Sequence, residues 1–67
     1  MNRNDLIRDL RKYARKNELK LSVDEKSGKG SHYLVKLGTE WTTIQNDLNP
    51  HRIERILKQL RIRMDDL

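Results

Sequence analysis

A two-residue break between two alternating segments is the feature that most restricts the fold. Residues 32–37 and residues 40–45 both alternate apolar with polar side chains, which is typical of half-buried β-strands. Gly38 and Thr39 lie between them and suit a two-residue hairpin loop with glycine first. A further alternating run over residues 19–24 predicts a third strand. The sequence therefore predicts an antiparallel sheet of three strands.

The hairpin loop also fixes which side chains share a face of the sheet, because directly opposed residues point the same way. With this loop Lys36 lies opposite Trp41, and His32 lies opposite Gln45. The more apolar set, which we expect to face the core, is Tyr33, Val35, Leu37, Thr42 and Ile44. The set expected on the other face is His32, Leu34, Lys36, Trp41, Thr43 and Gln45.

Two amphipathic segments flank the strands. The segment 2–17 has one apolar stripe at helical spacing and predicts a helix with Asn4 as its N-cap. A second helix is expected to begin at Pro50 after the N-cap Asn49. The residues from Arg61 onward lose the helical pattern, and we expect them to fray. The two stripes consist of Leu6, Ile7, Leu10, Tyr13 and Ala14 in the first helix and Ile53, Ile56, Leu57 and Leu60 in the second.

These elements define one α+β domain over residues 1–67 with the order α-β-β-β-α. A sheet with one apolar face and two helices with one apolar stripe each are most simply combined by packing both helices on that face. The other face of the sheet then stays open to solvent. So small a domain has a limited hydrophobic core, which makes a stabilising partner or self-association plausible.

The composition points to a soluble, basic protein of a reducing compartment. A net charge of +5 suggests a polyanionic partner, although many small domains are basic without one. The absence of cysteine excludes disulfides and Cys-type zinc sites and fits the cytoplasm. No apolar run has the length of a membrane span or a signal-peptide core. No cluster of carboxylates and histidines has metal-ligand spacing, so we expect neither metal nor cofactor.

The segment before the second strand carries the most distinctive chemistry. Gly28 and Gly30 permit a tight loop, Lys29 and Ser31 can meet an anion, and His32 follows where the strand begins. Histidine has an unperturbed pKa close to neutral pH and is suited to proton transfer. The alternative is a glycine turn with an incidental surface histidine. The other histidine, in the first turn of the second helix, is interpreted as an ordinary surface residue.

The tryptophan and the basic residues also allow two interpretations. Trp41 either covers Leu34 and stacks on Lys36 within the protein, or it offers a platform for an RNA base or a protein partner. The basic side of the first helix is either a solvated face or a flank that attracts phosphate. That side consists of Arg8, Arg11, Lys12, Arg15 and Lys16.

Three features of the chain belong together. They are the order of elements, Gly30-Ser31-His32 at the opening of the second strand, and a final helix that starts at Asn49-Pro50 and runs into residues 56–62. In this combination the chain resembles the HicA family of bacterial toxins. The resemblance covers nearly the whole chain. One departure is Arg61, which stands where such helices often carry a glycine. The family has a fold like that of double-stranded-RNA-binding domains.

The resemblance implies the toxin of a type II toxin–antitoxin system, an mRNA interferase neutralised by a HicB-type antitoxin in the cytoplasm. Its functional histidine corresponds to His32, the implied catalytic residue of a metal-independent endoribonuclease. Gly28, Lys29, Gly30, Ser31, Lys36 and Trp41 are the candidate RNA-binding residues. A homodimer and a toxin–antitoxin hetero-oligomer are both compatible with this implication. The alternatives are a non-catalytic RNA- or DNA-binding module and a protein-interaction domain that uses Trp41 and Leu34.

Overall fold

The structure is a computed structural model that describes residues 1–26 and 32–67. Its elements are α1 (Arg3–Lys16), β1 (Leu21–Asp24), β2 (Tyr33–Leu37), β3 (Glu40–Ile44), α2 (Pro50–Gln59) and a final 3₁₀ turn, η1 (Met64–Asp66). The strands form one antiparallel sheet in the order β1-β2-β3. The predicted α+β fold of order α-β-β-β-α is therefore confirmed. Neither of the two α-helices in the described ranges is long and apolar enough to cross a membrane.

Both helices pack on the same face of the sheet, as predicted. Their apolar stripes and the inward side chains of β2 and β3 form a single core rather than two. Tyr33, which was also expected on this face, is half-buried and packs against the core. The buried apolar residues are Leu6, Ile7, Leu10, Ala14, Val35, Leu37, Ile44, Ile53, Ile56, Leu57, Leu60 and Ile62.

The hairpin between β2 and β3 has the register predicted from its loop. Leu37 pairs with Glu40, and Lys36 pairs with Trp41. Gly38 has a φ of +61°, in the left-handed region that glycine adopts without a steric penalty. The loop glycine thus determines which side chains face the core and which face solvent.

The first helix begins two residues earlier than predicted, because Asn2 rather than Asn4 is its N-cap. The Asn2 side chain accepts the backbone N–H of Asp5 at 2.8 Å. In return, the Asn2 backbone N–H donates to the Asp5 carboxylate at 3.3 Å. This reciprocal capping box requires an acidic or amide side chain three residues after the cap. Asp5 stands at that distance from Asn2, whereas the residue at that distance from Asn4 is Ile7.

Both helices end in a Schellman motif built on a residue other than glycine. Glu18 (φ +55°) and Arg61 (φ +59°) occupy the left-handed position that follows each C-cap. At the first end Leu19 N–H donates to the Ala14 carbonyl at 2.8 Å. Because this bond commits Leu19 to the helix end, β1 starts at Leu21 and not at residue 19 as predicted.

At the second helix end the expectation of a frayed tail is wrong. Ile62 N–H donates to the Leu57 carbonyl at 2.8 Å, and the Ile62 side chain is buried in the core. The chain then forms η1, and Leu67 packs against the core. The helical periodicity stops at Arg61 because the backbone reverses there, while the apolar residues beyond it continue to pack.

The start of α2 is as predicted from its cap. The Asn49 side chain accepts the backbone N–H of Arg52 at 2.9 Å, and Pro50 occupies the first helical turn, where its missing N–H leaves no bond unmade. This fixed start sets the position of α2 beside β3.

Candidate functional site

The outward side of the sheet, here called the open face, bears the side chains that the helices leave uncovered. From the three strands these are Ser22, Asp24, Leu34, Lys36, Trp41 and Thr43. Trp41 has 60% of its surface exposed, and Lys36 opposite it is exposed as well. The register thus places an indole and an ammonium side by side on a solvent-facing sheet.

His32 stands at one end of the open face, immediately before β2. It is half-buried, and its imidazole makes no hydrogen bond with any residue that the structure describes. The predicted pairing of His32 with Gln45 does not form, because the β2–β3 ladder ends at the pair Tyr33 and Ile44. His32 is therefore not held by the sheet, although the adjacent strand sets its position.

Beyond the end of the ladder, the Gln45 side chain is held by α2. With its amide oxygen turned toward α2, Gln45 accepts hydrogen bonds from both Nη1 and Nε of Arg52, the latter at 3.2 Å. The same guanidinium donates to the Asp47 carbonyl at 2.8 Å and lies 3.5 Å from its carboxylate. Arg52 thereby fastens the end of β3 to α2, next to the last pair of the ladder, Tyr33 and Ile44.

The opening of β2 is held from the helix side by a cation–π contact. The Arg3 guanidinium lies 3.6 Å from the centroid of the Tyr33 ring. A contact of this kind contributes about 0.5–2 kcal/mol, more where it is shielded from water. Since Tyr33 follows His32 directly, α1 helps to fix the backbone that presents the imidazole.

Lys36 lies four residues along the chain from His32. Four residues at about 3.3 Å per residue separate their Cα atoms by about 13 Å. The backbone positions of Lys36 and its neighbour Trp41 are therefore well separated from that of His32 along the sheet.

Asp24, like Ser22, is an open-face residue that the sequence pattern did not single out. It pairs with Leu34, so along a regular ladder its diagonal neighbour is residue 32, at about 7–8 Å. Its Oδ1 atom accepts the backbone N–H of Lys26 at 2.9 Å. The register of β1 against β2 reveals this position, and no turn in the sequence specifies that register.

The remaining candidate residues fall elsewhere. Gly28, Lys29, Gly30 and Ser31 lie outside the described residues. The basic side chains of α1 are exposed on the helix side of the sheet, away from the open face. His51 is exposed in the first turn of α2, in agreement with its interpretation as a surface residue.

Comparison with known proteins adds no relative. No protein-family model, no curated protein and no solved structure matches this chain. Function is therefore inferred from the chain's own residues.

Proposed function

We propose that this protein is a HicA-like endoribonuclease, the toxin of a type II toxin–antitoxin system that cleaves mRNA and is neutralised by a HicB-type antitoxin. The observation that carries the proposal is the composition of the open face. Lys36 and Trp41 lie opposite each other on it, and His32 directly precedes β2 at its end, while the apolar side chains of the hairpin face the helices. A proton-transfer group, a cation and a stacking surface are the elements needed to bind and cut a single strand.

The reaction assigned to this face uses the substrate's own nucleophile. The 2′-hydroxyl attacks the adjacent phosphorus, and the bond to the 5′-oxygen of the next nucleotide breaks. A cyclic phosphate and a free 5′-hydroxyl result, and the chemistry consumes no metal or cofactor. His32 takes the 2′-hydroxyl proton, a role that accelerates such steps by about 10²- to 10⁴-fold.

The remaining roles are distributed along the strand. Lys36 pairs with a phosphate of a neighbouring nucleotide, and Trp41 stacks on its base, which contributes about 1–3 kcal/mol per base. Lys29 and the amides of the glycine segment are the proposed contacts to the scissile phosphate. Asp24 is the proposed group that orients the imidazole, and the departing 5′-oxygen takes its proton from water.

A non-catalytic nucleic-acid-binding module is the second candidate, and one observation favours it. Trp41 and Lys36 form their surface pair far from His32, and no described residue orients the imidazole by a hydrogen bond. Binding through this pair would need no proton transfer. The two functions differ in whether RNA is cut and in whether His32 matters for more than affinity.

The deciding experiment compares His32→Ala with His51→Ala, a matched control that removes the other, exposed histidine. Purified proteins are incubated with a long RNA, with and without EDTA, and thermal melts are recorded in parallel. We expect the wild type and His51→Ala to cut RNA in EDTA and His32→Ala to lose cleavage. The loss corresponds to about 3–5 kcal/mol in the barrier.

We expect the free energy of unfolding of His32→Ala to lie within about 0.5 kcal/mol of the wild-type value, because the side chain makes no hydrogen bond to the described residues. Cleavage by His32→Ala at the wild-type rate would refute the catalytic assignment. RNA binding without cleavage by any of the three proteins would favour the binding module. A strongly lowered melting temperature for His32→Ala would show a structural role instead.

A further inference from the structure

The second edge of the sheet, along β3, has no neighbouring strand among the residues that the structure describes. In a hairpin with a two-residue loop the flanking pair, Leu37 and Glu40, exchanges both backbone hydrogen bonds. Bonding then alternates along β3, so Thr42 also bonds to β2 while Trp41 and Thr43 turn their backbone groups outward. The N–H groups of Trp41 and Thr43 and the carbonyl of Trp41 find no backbone partner among the described residues.

This edge carries few of the devices by which proteins usually block strand addition, and its one charged residue, Glu40, lies 3.4 Å from Arg61 in an ion pair. An exposed edge is commonly interrupted by a bulge, a proline or a lysine. From Glu40 to Ile44, β3 contains neither proline nor lysine, and its ladder with β2 runs without a bulge. The edge is therefore open to a further strand.

A groove runs beside this edge, between β3 and α2. Its volume is about 300 Å³, and its lining includes Thr43, Gln45, Arg55 and Gln59. Thr42 Oγ donates to Gln59 Oε1 at 2.5 Å and holds β3 and α2 together at the groove. Arg55 is exposed and makes no ion pair with a described residue, whereas Arg52 is occupied by Asp47.

We propose that an extended acidic peptide segment of a partner protein adds to β3 as a fourth strand and places its carboxylates in the groove beside Arg55. Side chains of an added strand alternate between two sides. Those opposite Trp41 and Thr43 would lie on the open face, and the intervening ones would point toward α2. A strand with acidic residues at every second position matches this arrangement. The inference is independent of the proposed ribonuclease activity.

Two other occupants fit the edge less well. An RNA strand offers phosphate acceptors and 2′-hydroxyl donors, but these do not repeat at the spacing of a β-strand, where N–H and C=O groups alternate along the edge. A second copy of the chain would bring two Arg55 side chains and two charges of +5 together. An acidic peptide satisfies both the backbone groups and the charge.

The test uses a defined probe, a nine-residue peptide that alternates threonine with glutamate, and a control peptide with lysine in place of glutamate. Amide hydrogen exchange is followed by NMR on the full chain. We expect the acidic peptide to slow exchange at Trp41 and Thr43. Val23 is the internal control, because its amide points outward from the opposite edge, β1.

Two charge reversals separate the groove from general electrostatics. We expect Arg55→Glu to weaken the acidic peptide about tenfold or more, since it replaces an attraction by a repulsion in the groove. Arg11→Glu makes the same charge change on the exposed side of α1 and should weaken binding of the acidic peptide less than about twofold. His32→Ala should bind the peptide as wild type does, so loss of cleavage leaves this result unaffected.

The proposal is overturned if the acidic peptide fails to protect Trp41 and Thr43, or if Val23 is protected equally. Equal weakening by the two charge reversals would also overturn it. Protection of Trp41 and Thr43 by a nine-nucleotide RNA but not by the peptide would assign the edge to nucleic acid. Protection that rises with protein concentration alone would assign it to a second copy.

Discussion

Replacing Arg61 with glycine should stabilise the protein even though it removes a charged side chain and an ion pair. Arg61 has a φ of +59°, and the left-handed conformation costs a residue with a Cβ about 1–2 kcal/mol. Glycine avoids that penalty but adds about 0.4–1 kcal/mol of backbone entropy to the unfolded chain. The ion pair from Arg61 to Glu40 spans 3.4 Å, and with Arg61 81% exposed it contributes little. The expected net gain is about 0.5 kcal/mol.

The comparison with alanine makes the prediction diagnostic. Arg61→Ala keeps the strained backbone and loses the ion pair, so it should be less stable than Arg61→Gly by about 1 kcal/mol. At Lys58, inside α2, the order should reverse, with glycine about 1 kcal/mol worse than alanine. Glu18→Gly should behave like Arg61→Gly, because Glu18 has a φ of +55°.

Thermal melts of these variants measure the effect directly. For a domain of this size, 1 kcal/mol corresponds to about 4–8 °C in melting temperature. A lower stability for glycine than for alanine at position 61 would refute the reasoning. It would mean that the helix end does not adopt the left-handed conformation in solution.

Two further predictions concern β3. Trp41 fluorescence should be red-shifted and open to quenching in the free protein, and a blue-shifted, protected signal would contradict the register. Trp41→Ala should lower the free energy of unfolding by less than about 0.5 kcal/mol, as for other surface changes. Thr42→Val and Gln59→Ala should each lower the free energy of unfolding by about 0.5–1.5 kcal/mol through loss of one hydrogen bond. In a double-mutant cycle measured by urea denaturation their effects should be non-additive, and simple additivity would exclude the bond between them.

The parts of the fold that sequence could predict are those set by local backbone chemistry. Gly38 permits the tight hairpin, and the loop length then fixes the β2–β3 register. Asn49 followed by Pro50 marks the start of α2 for equally local reasons. Hence the exposure of Trp41 and Lys36 follows from residues close to them in sequence.

The features that sequence missed depend on contacts that no local signal encodes. Glu18 and Arg61 adopt the left-handed conformation without glycine, so neither helix end carries its usual marker. The β1–β2 register is set by packing of Leu21 and Val23 against the core, and only that register reveals Asp24 on the open face. The capture of Gln45 by α2 likewise depends on tertiary placement.

The packing of the tail that follows α2 against the core bears on the order in which the molecule opens. Leu67 packs against a core that includes Leu6 and Leu10, at the other end of the chain. The hairpin joins neighbours in sequence, whereas the tail gains this packing only after a large loop has closed. It contains a short 3₁₀ turn and little buried surface besides Ile62 and Leu67. We therefore expect the tail to be the first segment to detach and the last to dock, while the hairpin that carries the open face retains its shape.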